Sequence, residues 1–236
     1  MPSLTDSAGG LPLVSDLLSR CTFPLPSTAV DCAVSGGADS VALMVLACAA
    51  NLNVTAWHVD HGLRENSHTE AALVAQLATQ LGAQFESRTV TVEQGANTEA
   101  RAREARYVVL PDGVMTGHTA DDQAETILIN LLRGSGTRGL AGMQPTAQRP
   151  LLHIRRSDTQ ALCDALGIAV FHDPSNNDER FQRNRIRHEV LPLMESLAKR
   201  DLVPVLTRQA DLLRDDDDLL NELAGALDPT DALALA

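Results

Sequence analysis

The segment Ser-Gly-Gly-Ala-Asp-Ser at residues 35–40 constrains the fold of this chain more than any other part of its sequence. The apolar run 29–34 before it is typical of a buried strand, and the run 41–47 after it is typical of a helix. Glycines let a backbone approach a ligand closely, and the first N–H groups of a helix have no partner inside that helix. This order of elements predicts an anion-binding loop, with a plain helix-capping turn as the alternative.

The polar side chains of this segment suit phosphate groups. Its two serines supply hydroxyl donors, and the carboxylate of Asp39 is a candidate ligand for a metal ion that bridges phosphates. The segment is not a Walker A motif, because no Gly-Lys-Ser or Gly-Lys-Thr follows it. The candidate phosphate-binding residues are Ser35, Gly36, Gly37, Ala38, Asp39 and Ser40.

Apolar runs and helical patterns alternate along the chain, which predicts an α/β fold with a doubly wound parallel sheet flanked by helices. Ligands of such sheets bind beyond the carboxyl ends of the strands. Segments 35–39, 60–64 and 117–122 each follow a predicted strand, so we expect them to converge on one crevice. The predicted strands are 29–34, 54–59, 85–92 and 113–117, and the main predicted helices are 67–81, 99–110, 120–132, 157–166, 185–197 apart from Pro192, and 203–227.

The charges of the chain are unevenly distributed. Residues 201–236 hold nine acidic residues and two arginines, and they read as a helical extension or linker after a catalytic domain over residues 1–200. The formal net charge of −12 argues against indiscriminate nucleic-acid binding. However, the stretch 126–157 has five arginines and no acid, so it can contact a phosphate backbone locally.

The four cysteines are scattered, and none forms a C-x-x-C pair. This spacing predicts neither a zinc knuckle nor a dithiol or iron–sulfur site. No apolar run approaches the roughly 20 residues of a membrane span, and the N-terminus has no signal-peptide pattern. We expect buried, reduced thiols in a cytoplasmic protein that does not contact a membrane.

Two motifs that follow predicted strands carry further polar side chains. In the first, His58 and His61 are candidates to bond to a nucleotide, and Arg64 is a candidate phosphate contact. A metal cluster is the weaker alternative there, because the histidines straddle a strand end. In the second, Asp122 and Glu125 are three residues apart and share one helix face. Such a pair suits Mg²⁺ or an ammonium group, unless the acids only complement the helix dipole.

Arginine-rich segments form a third group of candidates. We expect the loop 133–139 to be either a lid or RNA-contact loop, or a plain surface loop. The charged helix 97–107 either pairs its charges on a solvent face or lines the crevice. In the segment 181–187, arginines alternate with other residues. We expect these arginines either to bind phosphate or to be solvated. The candidate residues are Arg103, Arg106, Arg133, Arg138, Arg183, Arg185 and Arg187.

Together, these motifs resemble the tRNA(Ile)-lysidine synthetase family of PP-loop ATP-pyrophosphatases, which have a Rossmann-like fold. The pyrophosphate loop alone would indicate only the superfamily, whereas the later blocks are more specific. Many relatives carry further C-terminal domains that grip the tRNA, so we expect a short form here. The matching stretches are SGGADS, HVDHGLRENS, NTEARAREARY, GHTADDQAETILINLLRGSGTRGL and PSNNDERFQRNRIR.

The resemblance implies a reaction and a role for each motif. ATP with Mg²⁺ adenylates the wobble cytidine of an isoleucine tRNA with a CAU anticodon, and L-lysine then attacks through its ε-amine and expels AMP. The implied ATP contacts are residues 35–40, His58, His61, Gly117 and His118, with Asp39 on Mg²⁺. The implied lysine contacts are Asp122 and Glu125, the implied charge stabilisers are Arg183, Arg185 and Arg187, and the implied tRNA contacts are Arg64, Arg103, Arg106, Arg133 and Arg138.

Two other functions compete with this one. The first is another PP-loop enzyme, such as a tRNA thiolase or an amide-forming synthetase, and the absence of paired cysteines argues against a thiolase. The second is a non-catalytic nucleotide- or RNA-binding remnant, against which the complete loop and the acid pair both argue. The oligomeric state is open, with a homodimer through the helical extension as one option.

Overall fold

Three parallel strands form the sheet of the computed structural model, which describes residues 4, 8, 10–60, 67–90, 108–171 and 178–225. They are β1 (Ala29–Ala33), β2 (Asn53–Asp60) and β3 (Gln84–Thr89), paired in the order β1-β2-β3. The pairing is parallel throughout, and helices separate the strands along the chain. The parallel α/β fold predicted from the alternation of patterns is therefore confirmed.

Four of the predicted helices begin and end close to their predicted limits, whereas the helix predicted over 99–110 lies mostly outside the described residues. The helices predicted over 67–81 and 120–132 have those bounds in the structure. Within the described ranges, no helix is both long and apolar enough to cross a bilayer. In chain order the helices are α1 (Pro12–Ser19), α2 (Ala38–Ala49), α3 (Ser67–Leu81), α4 (Ala120–Leu132), α5 (Thr137–Leu140), α6 (Arg156–Ala165), α7 (Gln182–Arg185), α8 (Leu191–Ala198) and α9 (Val203–Gly225).

The strand predicted over residues 113–117 is wrong in extent. Only Met115 joins the sheet there, through an isolated parallel bridge to Cys32 on the side of β1 away from β2. The N–H of Val114 instead bonds to the carbonyl of Pro111 within a turn, and the N–H of Thr116 donates to Gln148. Since the neighbouring N–H groups bond elsewhere, no ladder forms.

The described chain divides into two units, each made of two segments. The first unit comprises residues 1–119 and 145–174, and the second comprises residues 120–144 and 175–236. In the first unit, the residues of α2 from Val41 to Ala47 are almost completely buried, which is why this helix is apolar on all sides. The end of the catalytic domain, predicted near residue 200, stays a prediction.

The second unit has its own small core. Ala120, Ala124 and Leu128 of α4 follow one another at a spacing of four, so they form one apolar stripe along that helix. This stripe lies in a cluster with Ile186 and Val203. The core therefore joins α4 to the segment after residue 180 and to the start of α9.

The segment 185–197, predicted to be helical apart from Pro192, contains an irregular turn. A π-helical turn over Ile186–Val190 separates α7 from α8, and α8 carries Pro192 in its first turn. Proline has no N–H to donate to the carbonyl four residues earlier, so the regular α-helical bonding pattern ends before it.

Candidate functional site

The loop at residues 35–40 connects β1 to α2 in the first unit. Gly36 has a φ of +90°, a conformation that residues with a side chain rarely adopt. The hydroxyl of Ser40 accepts the N–H of Ser35 at 3.1 Å and donates to the carbonyl of Gly37 at 2.9 Å. The first intrahelical bond runs from Val41 to Gly37, so the N–H groups before Val41 have no acceptor within the helix. This arrangement suits a phosphate group.

Two segments distant in the sequence pack against this loop. A Cβ atom added to Gly117 would lie 2.7 Å from the carbonyl oxygen of Asp39 and 3.0 Å from the nitrogen of Ser40. The N–H of Phe171 donates to the carbonyl of Gly36 at 2.8 Å. The loop 35–40 and Gly117 thus come together, as expected of residues beyond strand ends. The role of Phe171 was missed, because a backbone donor leaves no mark in the sequence.

Asp39 is oriented by side chains of α6. Its Oδ1 accepts a hydrogen bond from the hydroxyl of Thr159, which is completely buried, and its Oδ2 lies 3.5 Å from Nε of Arg156. Neither partner belongs to a recognisable motif, so sequence reasoning missed both. Mg²⁺ is commonly held by one or two protein carboxylates together with substrate phosphates, and a single oriented carboxylate beside a phosphate loop fits that pattern. Among the described residues, no cluster of three or more His, Cys, Asp and Glu forms a metal site.

His58 and His118 each use one ring nitrogen within the first unit. Nδ1 of His58 lies 2.9 Å from the carbonyl oxygen of Val34, which can only accept, so Nδ1 carries the hydrogen. In the neutral ring, Nε2 is then the acceptor. Nδ1 of His118 lies 2.7 Å from the hydroxyl of Thr116. The other histidine and three of the arginine candidates lie outside the described residues: His61, Arg64, Arg103 and Arg106.

The second unit gathers two carboxylates and two guanidinium groups. Nε of Arg183 and Nε of Arg187 each lie 2.7 Å from an oxygen of Glu125, one on each oxygen. The side chain of Glu125 is only 1% exposed. Asp122 lies farther away, with Oδ1 3.7 and 3.8 Å from the Nη2 atoms of the two arginines. The cluster is formally neutral, and Glu125 is the group that both arginines contact most closely.

Arg185 does not join this cluster. Its guanidinium pairs with Glu189 at 3.0 Å, and both side chains are about half exposed. Hydrogen bonding to Arg185 lowers the pKa of the Glu189 carboxyl. Arg183 and Arg187 are four residues apart and share a helix face, whereas Arg185 lies between them on another face. The structure thus separates three arginines that the sequence presents as equivalent.

The four cysteines lie within the described residues and form no disulfide bond with one another. Burial raises the pKa of the Cys48 thiol to about 11 and the pKa of the Cys163 thiol to about 12. Thiols react with electrophiles and bind metals as thiolates, so these groups are inert near neutral pH.

The comparisons with known proteins point to one family. A family model described as a PP-loop domain matches residues 14–194. A tRNA(Ile)-lysidine synthase of Rhodococcus erythropolis is 46% identical over 211 residues, covering 86% of this chain and 65% of that protein. Its counterpart in Mycobacterium tuberculosis is 45% identical over 210 residues, covering 85% and 64%. That of Thermobifida fusca is 39% identical over 229 residues, covering 90% and 71%.

The chain spans slightly less than two thirds of the length of the first two of these relatives. Among solved structures, the U34-tRNA thiolase NcsA of Methanococcus maripaludis matches with a TM-score of 0.61 over 89% of this chain and 80% of that one. At 16% identity, this match shows the fold alone. By its PP-loop domain and its curated relatives, the chain belongs to the tRNA(Ile)-lysidine synthase family of PP-loop proteins.

Proposed function

We propose that this chain is a tRNA-modifying ligase that converts the wobble cytidine of a CAU-anticodon isoleucine tRNA to lysidine. The cytidine carbonyl oxygen attacks the α-phosphorus of ATP, and pyrophosphate leaves. The ε-amine of free L-lysine then forms a bond to carbon 2, its surplus protons are released, and the oxygen departs with AMP. The observation that carries the proposal is the glycine turn from β1 into α2 at residues 35–40, with Gly36 at a φ of +90°, in a chain whose curated relatives are tRNA(Ile)-lysidine synthases.

In the first unit, we assign residues 35–40 to the phosphates of ATP. The positive φ of Gly36, which glycine adopts without strain, and the contact between the hydroxyls of Ser35 and Ser40 support this assignment, because both shape the loop. Gly117 keeps the start of α2 in place. We keep His58, His61 and His118 as nucleotide contacts. Mg²⁺ held by Asp39 would neutralise phosphate charge during adenylation.

In the second unit, we assign the lysine ammonium to the carboxylates of Asp122 and Glu125. Both oxygens of Glu125 accept hydrogen bonds from arginine, and Oδ1 of Asp122 lies within 4 Å of the same two guanidinium groups, so the two carboxylates belong to one cluster. Arg183 and Arg187 are the arginines that we assign to the developing negative charge of the reaction. Arg185, which pairs with Glu189 at an exposed position, is assigned no catalytic role.

A tRNA thiolase is the second candidate function, because a U34-tRNA thiolase is among the solved structures that share this fold. Thiolation needs a reactive sulfur carrier, whereas burial raises the thiol pKa values of all four cysteines here. We therefore favour the ligase. The tRNA contacts at Arg64, Arg103, Arg106, Arg133 and Arg138, the cytoplasmic location and the oligomeric state stay predictions.

The test is incorporation of labelled L-lysine into CAU-anticodon isoleucine tRNA with ATP and Mg²⁺ present. Incorporation that requires ATP and is lost in Asp39→Ala, but not in the exposed control Asp16→Ala, would support the ligase. Unlabelled tRNA despite normal ATP binding would contradict it. Label on tRNA from a sulfur donor instead would favour the thiolase.

A further inference from the structure

The basic segment of the second unit, defined here as Arg133–Met143, has an exposed half and an anchored half. Arg133 and Arg138 are exposed to solvent, whereas Ala141 is buried. The short helix α5 spans only four residues of this segment. One helical turn has little stability of its own, so its orientation depends on the contacts that hold it.

Two side chains of α4 hold the end of the basic segment. The amide of Asn130 donates to the carbonyl of Gly139 at 2.7 Å. Gln123 is buried, accepts the N–H of Met143 at 2.7 Å and donates to the carbonyl of the same residue at 2.9 Å. Gly142 has a φ of +65°, and a Cβ atom there would lie 2.8 Å from the amide oxygen of Gln123. The backbone of this half is therefore tightly specified.

The third anchor comes from α9, more than 70 residues later in the chain. Nη2 of Arg214 donates to the carbonyl of Ala141 at 2.7 Å and to that of Met143 at 3.1 Å, while Nη1 donates to Asp211 at 2.7 Å. The Arg214 side chain is 11% exposed. Hydrogen bonds from a charged donor are stronger than neutral ones, and a guanidinium presents them in a rigid fork.

One nitrogen of the Arg214 side chain lowers the stability of the fold. Its Nε is buried and has no hydrogen-bond partner within the described part of the chain, an arrangement that costs free energy. A lysine at this position would avoid that cost, but it would lose the fixed geometry toward two carbonyls. The main effect of the Arg214 side chain is thus to hold the backbone at Ala141 and Met143 in one conformation.

We propose that Arg214 is a positioning residue that fixes the basic segment, so that α9 sets how Arg133 and Arg138 meet the phosphate backbone of tRNA. The tRNA part rests on the proposed function, whereas the positioning part does not. The region after residue 200 then belongs to the tRNA-binding apparatus rather than serving as a linker.

The test compares Arg214→Lys with Arg208→Lys in the full chain. Both changes keep the charge on α9, but Arg208 is exposed and lies outside the anchor. Hydrogen–deuterium exchange of the peptide covering residues 139–143 reports positioning. Titration with CAU-anticodon isoleucine tRNA reports binding, and titration with ATP is the internal control. Asp211→Asn, which removes only a partner of Arg214, is the milder second variant.

Faster exchange at residues 139–143 in Arg214→Lys, with α2 and α8 unchanged, is the expected result. We also expect tRNA binding weakened about tenfold, unchanged ATP binding and a neutral Arg208→Lys. Unchanged exchange at 139–143, or faster exchange throughout the second unit, would overturn the positioning role. Faster local exchange with normal tRNA binding would overturn the link to tRNA. If the unsubstituted protein does not bind tRNA, the proposed function fails, and the exchange data alone decide the positioning role.

Discussion

Position 117 has no room for a side chain, so a substitution there tests whether the loop at residues 35–40 binds the phosphates of ATP. A Cβ atom there would press on the carbonyl of Asp39 and the nitrogen of Ser40, both backbone atoms of the first turn of α2. We expect Gly117→Ala to weaken ATP binding about 10- to 100-fold, because displacements below 1 Å at a phosphate site are costly. Equilibrium titration with ATP measures this effect.

The control for that substitution is Gly225→Ala, where no atom of the described residues lies within 4 Å of the added carbon. It should bind ATP normally. Normal ATP binding by Gly117→Ala would mean that the loop does not hold the phosphates, or that α2 shifts without loss of function.

Glu125 and Glu189 allow a matched comparison of a buried and an exposed ion pair. Both accept hydrogen bonds from arginines, but the side chain of Glu125 is 1% exposed and that of Glu189 is 46% exposed. Glu125→Gln leaves two guanidinium groups without their closest carboxylate, so it should lower the free energy of unfolding by about 3 kcal/mol. Glu189→Gln should change it little.

Urea unfolding of the two variants measures this difference. Equal effects would show that Arg183 and Arg187 find other partners when Glu125 loses its charge. Lysine incorporation, measured in parallel, should fall strongly only in Glu125→Gln.

Among the helices, the end of α8 carries a local strain that can be relieved. Lys199 follows this helix with a φ of +52° and a ψ of +37°, the left-handed region in which glycine is favoured. Lys199→Gly should therefore raise the free energy of unfolding by up to about 1 kcal/mol. Asn51, at a φ of +58°, is the comparison, because asparagine tolerates this conformation and should gain less from the same change.

Thermal or urea unfolding of Lys199→Gly and Asn51→Gly checks this prediction. A loss of stability in Lys199→Gly would mean that the lysine side chain stabilises the unit by more than its backbone strain costs.

Across the whole molecule, buried thiols should dominate how the free energy of unfolding changes at alkaline pH. The chain has four cysteines but only one tyrosine and one lysine. Burial raises the pKa of Cys48 to about 11 and that of Cys21 and Cys163 to about 12, against about 8.5 for an unfolded thiol. The unfolded state therefore loses these protons first, and the free energy of unfolding should fall as pH rises from about 8.5 to 11.

Urea unfolding between pH 7.5 and pH 10.5 measures this decline. Each buried thiol contributes at most about 1.4 kcal/mol per pH unit, so Cys48→Ala should show a shallower slope than the unsubstituted protein. A flat profile up to pH 10.5 would show that the thiols titrate normally and are reached by solvent.

Much of the architecture follows from local patterns. The bounds of α3 and α4 were predicted from apolar spacing, since a helix that buries one face must repeat that spacing. The strand at residues 113–117 was overestimated, and the π-helical turn at Ile186–Val190 was missed. In the first case hydrogen-bond partners far along the chain decided the outcome, and in the second the missing N–H of Pro192 did.

By itself, the sequence determined the glycine turn at residues 35–40, the alternation of strands and helices, and the family, because backbone conformation, apolar periodicity and short motifs are local properties. Only the tertiary structure separated Arg185 from Arg183 and Arg187, placed Gly117 against Asp39, and joined Arg214 to the basic segment. The contacts of Arg187, Gly117 and Arg214 join residues that are far apart in the chain, so they depend on how the elements pack. Packing depends on the three-dimensional positions of whole helices, which no local pattern records.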